Sequence, residues 1–175
     1  YRMFFVGAVS IVTTLPNVLG GLDLDLMQQD QHRRHFIEEL LVLGENARSP
    51  FIDEIRVLLD RHDKAAPAAV ALRSAVAKAQ FSNRLLVKQT TATDLAKINV
   101  DVFGKQPTYR DMLLYASHFP NRTVAVTNAD IVFRHLDRLD VDVLRTTRHV
   151  VILSIVPPSG RYGRFCDVNG TVINW

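Results

Sequence analysis

Apolar runs alternate with amphipathic stretches along most of this chain. The first run, about residues 4 to 14, is almost wholly apolar, carries the β-branched Val9, Ile11 and Val12, and ends before Pro16. That pattern predicts a strand buried on both faces, as parallel sheets require. Asn17 to Gly21 then reads as a loop. Asp30 is placed to cap a helix whose apolar stripe is Phe36, Ile37, Leu40, Leu41 and Leu43. The helix is expected to fray near Gly44 to Asn46 and must stop before Pro50.

The alternation continues. Ile55 to Asp60 is a short apolar run ending on an acid, a second strand. Pro67 to about Leu86 is alanine-rich and helical. Asp94 to Lys97 leads into Ile98 to Phe103, where apolar and polar residues alternate as in a strand. Thr108 with Asp111 three residues on resembles a capping box, and the helix behind it would place Tyr109, Met112, Leu113 and Ala116 on one face. Pro120-Asn121 breaks the chain before Thr123 to Thr127, a buried strand that runs into Asn128-Ala129-Asp130. Beyond it, His135 to Leu144 reads as a short helix, His149 to Val156 as another apolar strand, and Pro157 to Arg164 as a basic loop. Cys166 to Val168 and Thr171 to Ile173 flank Asn169-Gly170, a two-residue hairpin signal.

Strands alternating with helices imply an α/β fold: a mostly parallel, Rossmann-like sheet flanked by helices, here with a C-terminal hairpin. Ligands of such sheets bind beyond the carboxyl ends of the strands. The places to look are therefore Thr13 to Asn17, Asp60, Gly104 to Gln106, and Asn128 to Asp130.

Composition narrows the class. The 175 residues are 47% hydrophobic and 22% charged, which excludes a disordered tail, collagen or a coiled coil. One cysteine, Cys166, leaves no internal disulfide, so a disulfide-scaffolded mini-domain is excluded while a secretory location is not. The net charge of +3 is interspersed and too mild to argue for a nucleic acid. No stretch reaches the roughly 20 apolar residues of a spanning helix. Met3 to Val12 looks like a signal-peptide core, but no small-x-small cleavage site comes after it, and a buried strand is the better reading.

Chemistry concentrates after the fourth strand. Asn128 and Asp130 are two apart, so on extended chain both side chains point to one face and could meet one ion. Such an oxygen pair suits a hard cation, Mg²⁺ or Mn²⁺, that would also hold a ligand's phosphates. Alternatively, Asn-Ala-Asp is a turn in which Asn caps the next segment. His32 and His35, three apart beside Arg33 and Arg34, read better as a solvated helix face than as a ligand pair. Cys166 has no base pattern near it. No phosphate-binding Gly-rich motif, nucleophile elbow or zinc spacing occurs.

The order of segments resembles the nucleotide-sugar half of a GT-A glycosyltransferase. The residues that carry the resemblance are Ser10-Ile11-Val12-Thr13-Thr14 with Pro16-Asn17, the strand Ile55 to Asp60, Gly104 to Tyr109 opening a helix, and Thr127 to Ile131 after a buried strand. In that superfamily the fourth strand ends in a short acidic motif, usually Asp-x-Asp, that binds a metal and the sugar diphosphate; here its first position is Asn128. The resemblance implies a nucleotide-sugar donor, transfer to an acceptor that is a protein or glycan, and Mn²⁺ or Mg²⁺ held by Asp130 and Asn128. It implies that Thr13, Thr14 and Asn17 line the nucleoside pocket, that Asp60 faces the base or ribose, and that Lys105 reaches a phosphate. Read without it, Thr13-Thr14 are strand-end residues, Asp60 is a solvated charge beside Arg61, and Lys105 is a loop lysine. A non-catalytic relative kept as a scaffold or partner-binding domain fits the Asn at position 128.

The resemblance covers about residues 5 to 156. On it, 1–156 form the donor-binding domain and 157–175 begin an acceptor-side region. A start at Tyr1 and an end at Trp175 read as a piece of a longer polypeptide. Two sequons, Asn121-Arg122-Thr123 and Asn169-Gly170-Thr171, fit a Golgi lumen.

Overall fold

The computed structural model describes residues 9–15, 31–59, 65–82, 89–119, 122–134 and 136, with the pairs 165–166 and 172–173. Four strands, β1 (Val9–Thr14), β2 (Ile52–Leu59), β3 (Ile98–Val102) and β4 (Thr123–Val126), form one sheet in the order β3-β2-β1-β4, and every pairing is parallel. The helices are α1 (Gln31–Arg48), α2 (Ala65–Ser82), α3 (Ala92–Ala96) and α4 (Tyr109–Ala116). The expected α/β architecture, a parallel sheet flanked by helices, is what the chain adopts.

Strand alternation divides the apolar residues between the two faces. Ile11, Leu15, Ile55, Val57, Leu59, Ile98 and Val100 pack with Phe36, Leu40 and Leu43 of α1 and Leu72 and Val76 of α2. Val12 and Leu58 point the other way, onto Met112 of α4. The larger core thus lies under α1 and α2, and α4 covers the opposite face near β1 and β4.

Several boundaries differ from expectation. Helix α1 does not fray at Gly44 to Asn46 but continues to Arg48. Gly44 lets α2 approach: a Cβ there would stand 1.7 Å from Gln80 Nε2. Strand β2 starts at Ile52, three residues before Ile55, because its two acids are bonded. Ser10 Oγ donates to Asp53, while Asn99, Arg56 and Arg122 converge on Glu54. The lead-in at Asp94 is a short helix, α3, started by a full capping box between Thr91 and Asp94.

The Thr108–Asp111 capping box forms as expected, with both reciprocal bonds. The face it starts is split, however. Met112 is buried, whereas Tyr109 and Leu113 are each 54% exposed. Tyr115 turns inward instead, where its hydroxyl bonds Asp101 and its ring stands edge-on to Phe119. Strand β4 is only half-buried, not buried, since it lies at an edge of the four strands.

Phe165–Cys166 and Val172–Ile173 pair antiparallel as β5 and β6, separate from this sheet. The Asn169-Gly170 turn lies outside the described residues. So do the expected strand 149–156, most of the helix 135–144, the Asp30 cap, the loop 157–164 and both sequon asparagines.

Candidate functional site

The strand order fixes where a site can form. From β1 the chain moves outward to β2 and β3, then α4 carries it back across to β4 on the other side of β1. The order therefore reverses between β1 and β4, and in open parallel sheets the carboxyl ends of the strands on either side of such a reversal are where ligands bind. Thr13 and Thr14 stand at the end of β1, and Thr127 to Asp130 come after β4. Thr127 N–H still donates to Val12 O, which holds the two ends side by side.

The first turn of α4 reaches the segment after β4. The chain reaches it from β3 through Gly104, whose φ of +73° is a left-handed conformation open to glycine at little cost. Tyr109, the first residue of α4, donates its hydroxyl to Asn128 Oδ1 at 2.6 Å. The Asn128 carboxamide is thereby tied to the first turn of α4.

The expected site residues separate into groups. Thr14 Oγ1 donates to Leu58 O at 2.9 Å and is spent on the neighbouring strand. Thr13 points to the α1 side, is 1% exposed, and its Oγ1 finds no partner among the described residues. Lys105 Nζ is 3.2 Å from Asp111 Oδ1, so its charge first neutralises the capping carboxylate. Such an exposed pair adds little to stability, and a phosphate could exchange for it. Asp111 itself is held below the usual carboxylate range by the Thr108 backbone N–H and hydroxyl. Asn17 and Asp60 lie outside the described residues.

Asn128 and Asp130 do not share an extended segment. Strand β4 ends at Val126, and Ala129–Asp130 form a turn, so strand alternation does not govern where their side chains point. Both are exposed. Asn128 faces Tyr109 on the α4 side, whereas Asp130 is within electrostatic reach of Glu39 on α1.

Three contributors escape the sequence pattern. Asn46, 3% exposed, donates to Ile131 O and accepts from Phe133 N, each at 2.9 Å, so α1 grips the segment just after Asp130. Glu39 is 7% exposed. Burial chiefly raises its pKa, His35 opposes that, and the Asp130 charge adds to it. Tyr109 reads from sequence only as part of an apolar face. An acid and an amide set into the Phe36–Leu40–Leu43 stripe are the signals that could have found the first two. His35 is engaged with Glu39 at 3.5 Å and with Glu38 at 3.8 Å, an acid-paired helix residue; the side chain of His32 lies outside the described residues.

An open cleft lies at the amino ends of the strands, bordered by Asp53, Glu54, Lys97, Asn99 and Arg122. Its charges serve the fold. Arg122 pairs with Glu54 at 2.9 Å, and Lys97 Nζ donates to Ala47 O and Ser49 O, closing the end of α1. No trio of His, Cys, Asp or Glu among the described residues has the spacing of a metal centre. Among them no helix is long and apolar enough to cross a membrane. Comparison with protein-family models, curated proteins and solved structures finds no match for this chain.

Proposed function

We propose that this chain is the donor-binding domain of a glycosyltransferase-like protein, taking a nucleotide-sugar at the carboxyl ends of β1 and β4. The observation that supports this is the reversal of strand order between β1 and β4, beside which Asn128, bonded to the first turn of α4, and the exposed Asp130 come after β4. That arrangement offers the Asn128 amide for a nucleoside, and a helix start and Lys105 for phosphates.

The donor set suits a hard cation. Asp130 is an exposed carboxylate, and Asn128 supplies an amide oxygen with a lone pair beyond the one Tyr109 uses. Asp130 and Asn128 would hold Mn²⁺ or Mg²⁺, which supplies charge neutralisation for a departing diphosphate. Tyr109 orients Asn128, and Asn46 orients Asp130 through the backbone just beyond it. The acceptor, protein or glycan, would stand beside the strand ends, and a secretory location fits such an enzyme.

A second reading, a non-catalytic relative that serves as a scaffold, is favoured by one contact. The position that the resemblance expects to be a metal-binding acid is here an amide already engaged by Tyr109. Titration with UDP-, GDP- and CMP-sugars, with and without Mn²⁺, decides between them by melting temperature. Binding by this site requires stabilisation by one nucleotide class and its loss in Asp130→Ala. Absence of any shift, or a shift indifferent to Asp130→Ala, overturns the donor-binding reading.

A further inference from the structure

Strand β2 opens with an irregularity at the cleft by the amino ends of the strands. Ile52 and Ile55 both pack into the core on the α1 side, although residues three apart on a regular strand point to opposite faces. The register against β1 slips between them. Val9 stands opposite Ile52 and Ser10 opposite Glu54, so Asp53 has no opposite residue. Such an extra residue is a β-bulge, which re-aims side chains. Regular alternation would put Asp53 on the face of Ile55, in the core; the bulge leaves it exposed.

The charges of this cleft serve the fold with only part of their capacity. Ser10 Oγ, on a residue 3% exposed, donates to Asp53 Oδ1 at 2.9 Å and accepts from Arg122 Nη1 at 3.5 Å. Arg122 spends the same Nη1 on Glu54 Oε2 at 2.9 Å. Asp53 Oδ2 and Arg122 Nη2 and Nε make no bond among the described residues, and the two side chains form no ion pair with each other. An acid and a base that meet at one serine yet stay unpaired have room for a third group. Both line the open cleft, about 380 Å³ in volume, together with Thr93 and Ala96, and that size falls in the range of small-molecule sites. The other charges there are committed: Glu54 holds Asn99 as well as Arg122, and Lys97 closes the end of α1.

We propose that this cleft binds a small zwitterion, an α-amino acid, between Arg122 and Asp53. The guanidinium offers its unspent N–H groups as a planar fork to the ligand's carboxylate. Asp53 Oδ2 accepts from the ammonium group. Charge decides the ligand class. Around the cleft Asp53 and Glu54 balance Lys97 and Arg122, so neither a polyanion nor a lone cation is favoured. A ligand neutral overall, with one charge of each sign, matches the two groups left free. Thr93, which is exposed, and Ala96 remain to meet the ligand's side chain. The site lies at the opposite ends of the strands from Asn128 and Asp130 and does not depend on the donor-binding reading.

Titration of the whole chain with the common amino acids, followed in ¹H–¹⁵N spectra, tests it without reference to activity. At least one amino acid should move the Asp53, Thr93 and Arg122 signals together. Its deaminated acid and its decarboxylated amine each lack one charge, and each should bind at least about tenfold more weakly for the lost charge-assisted contact. Asp53→Asn, whose Oδ1 can still accept from Ser10, should weaken binding by the same margin. So should Arg122→Lys, which keeps the charge and loses the fork. The ligand-free melting temperature reports whether each variant is folded, and the one-charge analogues test the unaltered chain beside them. Asp130→Ala should bind the amino acid as wild type does. No perturbation by any amino acid, analogues that bind as well as the parent, or affinity unchanged in Asp53→Asn overturns the proposal. Loss of amino-acid binding in Asp130→Ala overturns it too, since the ligand would then sit at the other end of the sheet. Failure of every nucleotide-sugar to bind, with amino-acid binding intact, would sink the donor reading alone.

Discussion

Removing the Asn46 side chain tests whether α1 positions the candidate site. In Asn46→Ala the carbonyl of Ile131 loses its donor and the N–H of Phe133 its acceptor, both now bonded at 2.9 Å. Each such bond contributes about 1 kcal/mol net, so the pair accounts for about 2 kcal/mol. Ile131 and Phe133 are half-exposed, so water can reach the freed groups and the larger penalty for fully buried orphans does not apply. For a chain of this size about 2 kcal/mol lowers the melting temperature by roughly 4–8 °C. Urea unfolding should show the midpoint falling at unchanged slope, because no new surface is exposed in the native state. Asn46→Asp should be worse than Asn46→Ala, since it sets a carboxylate oxygen against the Ile131 carbonyl. If ligand binding runs through Asp130, its stabilisation should also shrink in Asn46→Ala, because the neighbouring backbone is no longer held. A loss below about 0.5 kcal/mol, the range of ordinary surface substitutions, would refute the view that this amide anchors the post-β4 segment.

Other substitutions probe the same frame. Gly44→Ala should cost about 1–3 kcal/mol in urea melts, because the new Cβ displaces Gln80, whose Oε1 holds the N–H and hydroxyl of Thr90. Adding Gln80→Ala should recover part of that, so strict additivity in the double-mutant cycle would refute the close approach. Thr108→Ala removes the cap of α4 and should cost about 1 kcal/mol by thermal melting. Because Asp111 titrates below its ordinary 3.8, its share of the box is present above that pH and lost as pH falls through the folded value, so the Thr108→Ala deficit should narrow in acid. Glu39 has the opposite sign: the folded chain keeps a proton that the unfolded chain releases above 4.5, so stability falls as pH rises through that interval. Metal-free Glu39→Gln lacks this titration, and its melting temperature should gain on wild type over the same interval; a constant difference would contradict it.

Much of the fold was legible because it depends on local pattern. Strands β1 to β4 are apolar runs, and the helices between them force parallel pairing. The errors share a cause, which is that tertiary contacts reversed the meaning of single residues. Gly44 reads as a helix breaker but serves as the contact point of two helices. Asp53 and Glu54 stand just before the strand expected at Ile55, yet Ser10 of β1, Asn99 of β3 and Arg122 just before β4 draw them into β2. Leu113 reads as a core residue, but Tyr115 takes the inward place because Asp101 on β3 accepts its hydroxyl bond.

The site divides along the same line. Strand ends can be found from sequence, and so Thr13, Thr14, Asn128 and Asp130 were within reach. Their surroundings cannot, because these come from helices that meet the strand ends only after folding. The turn at Ala129–Asp130 is decisive here. On an extended chain Asn128 and Asp130 would have met one ion by themselves, and a neutral amide in place of an acid would have left that ion with little charge. The turn instead gives Asn128 to Tyr109 on α4, while Asp130 stays exposed. Asparagine at that position argues against metal binding only where the motif must supply every acid from its own strand end.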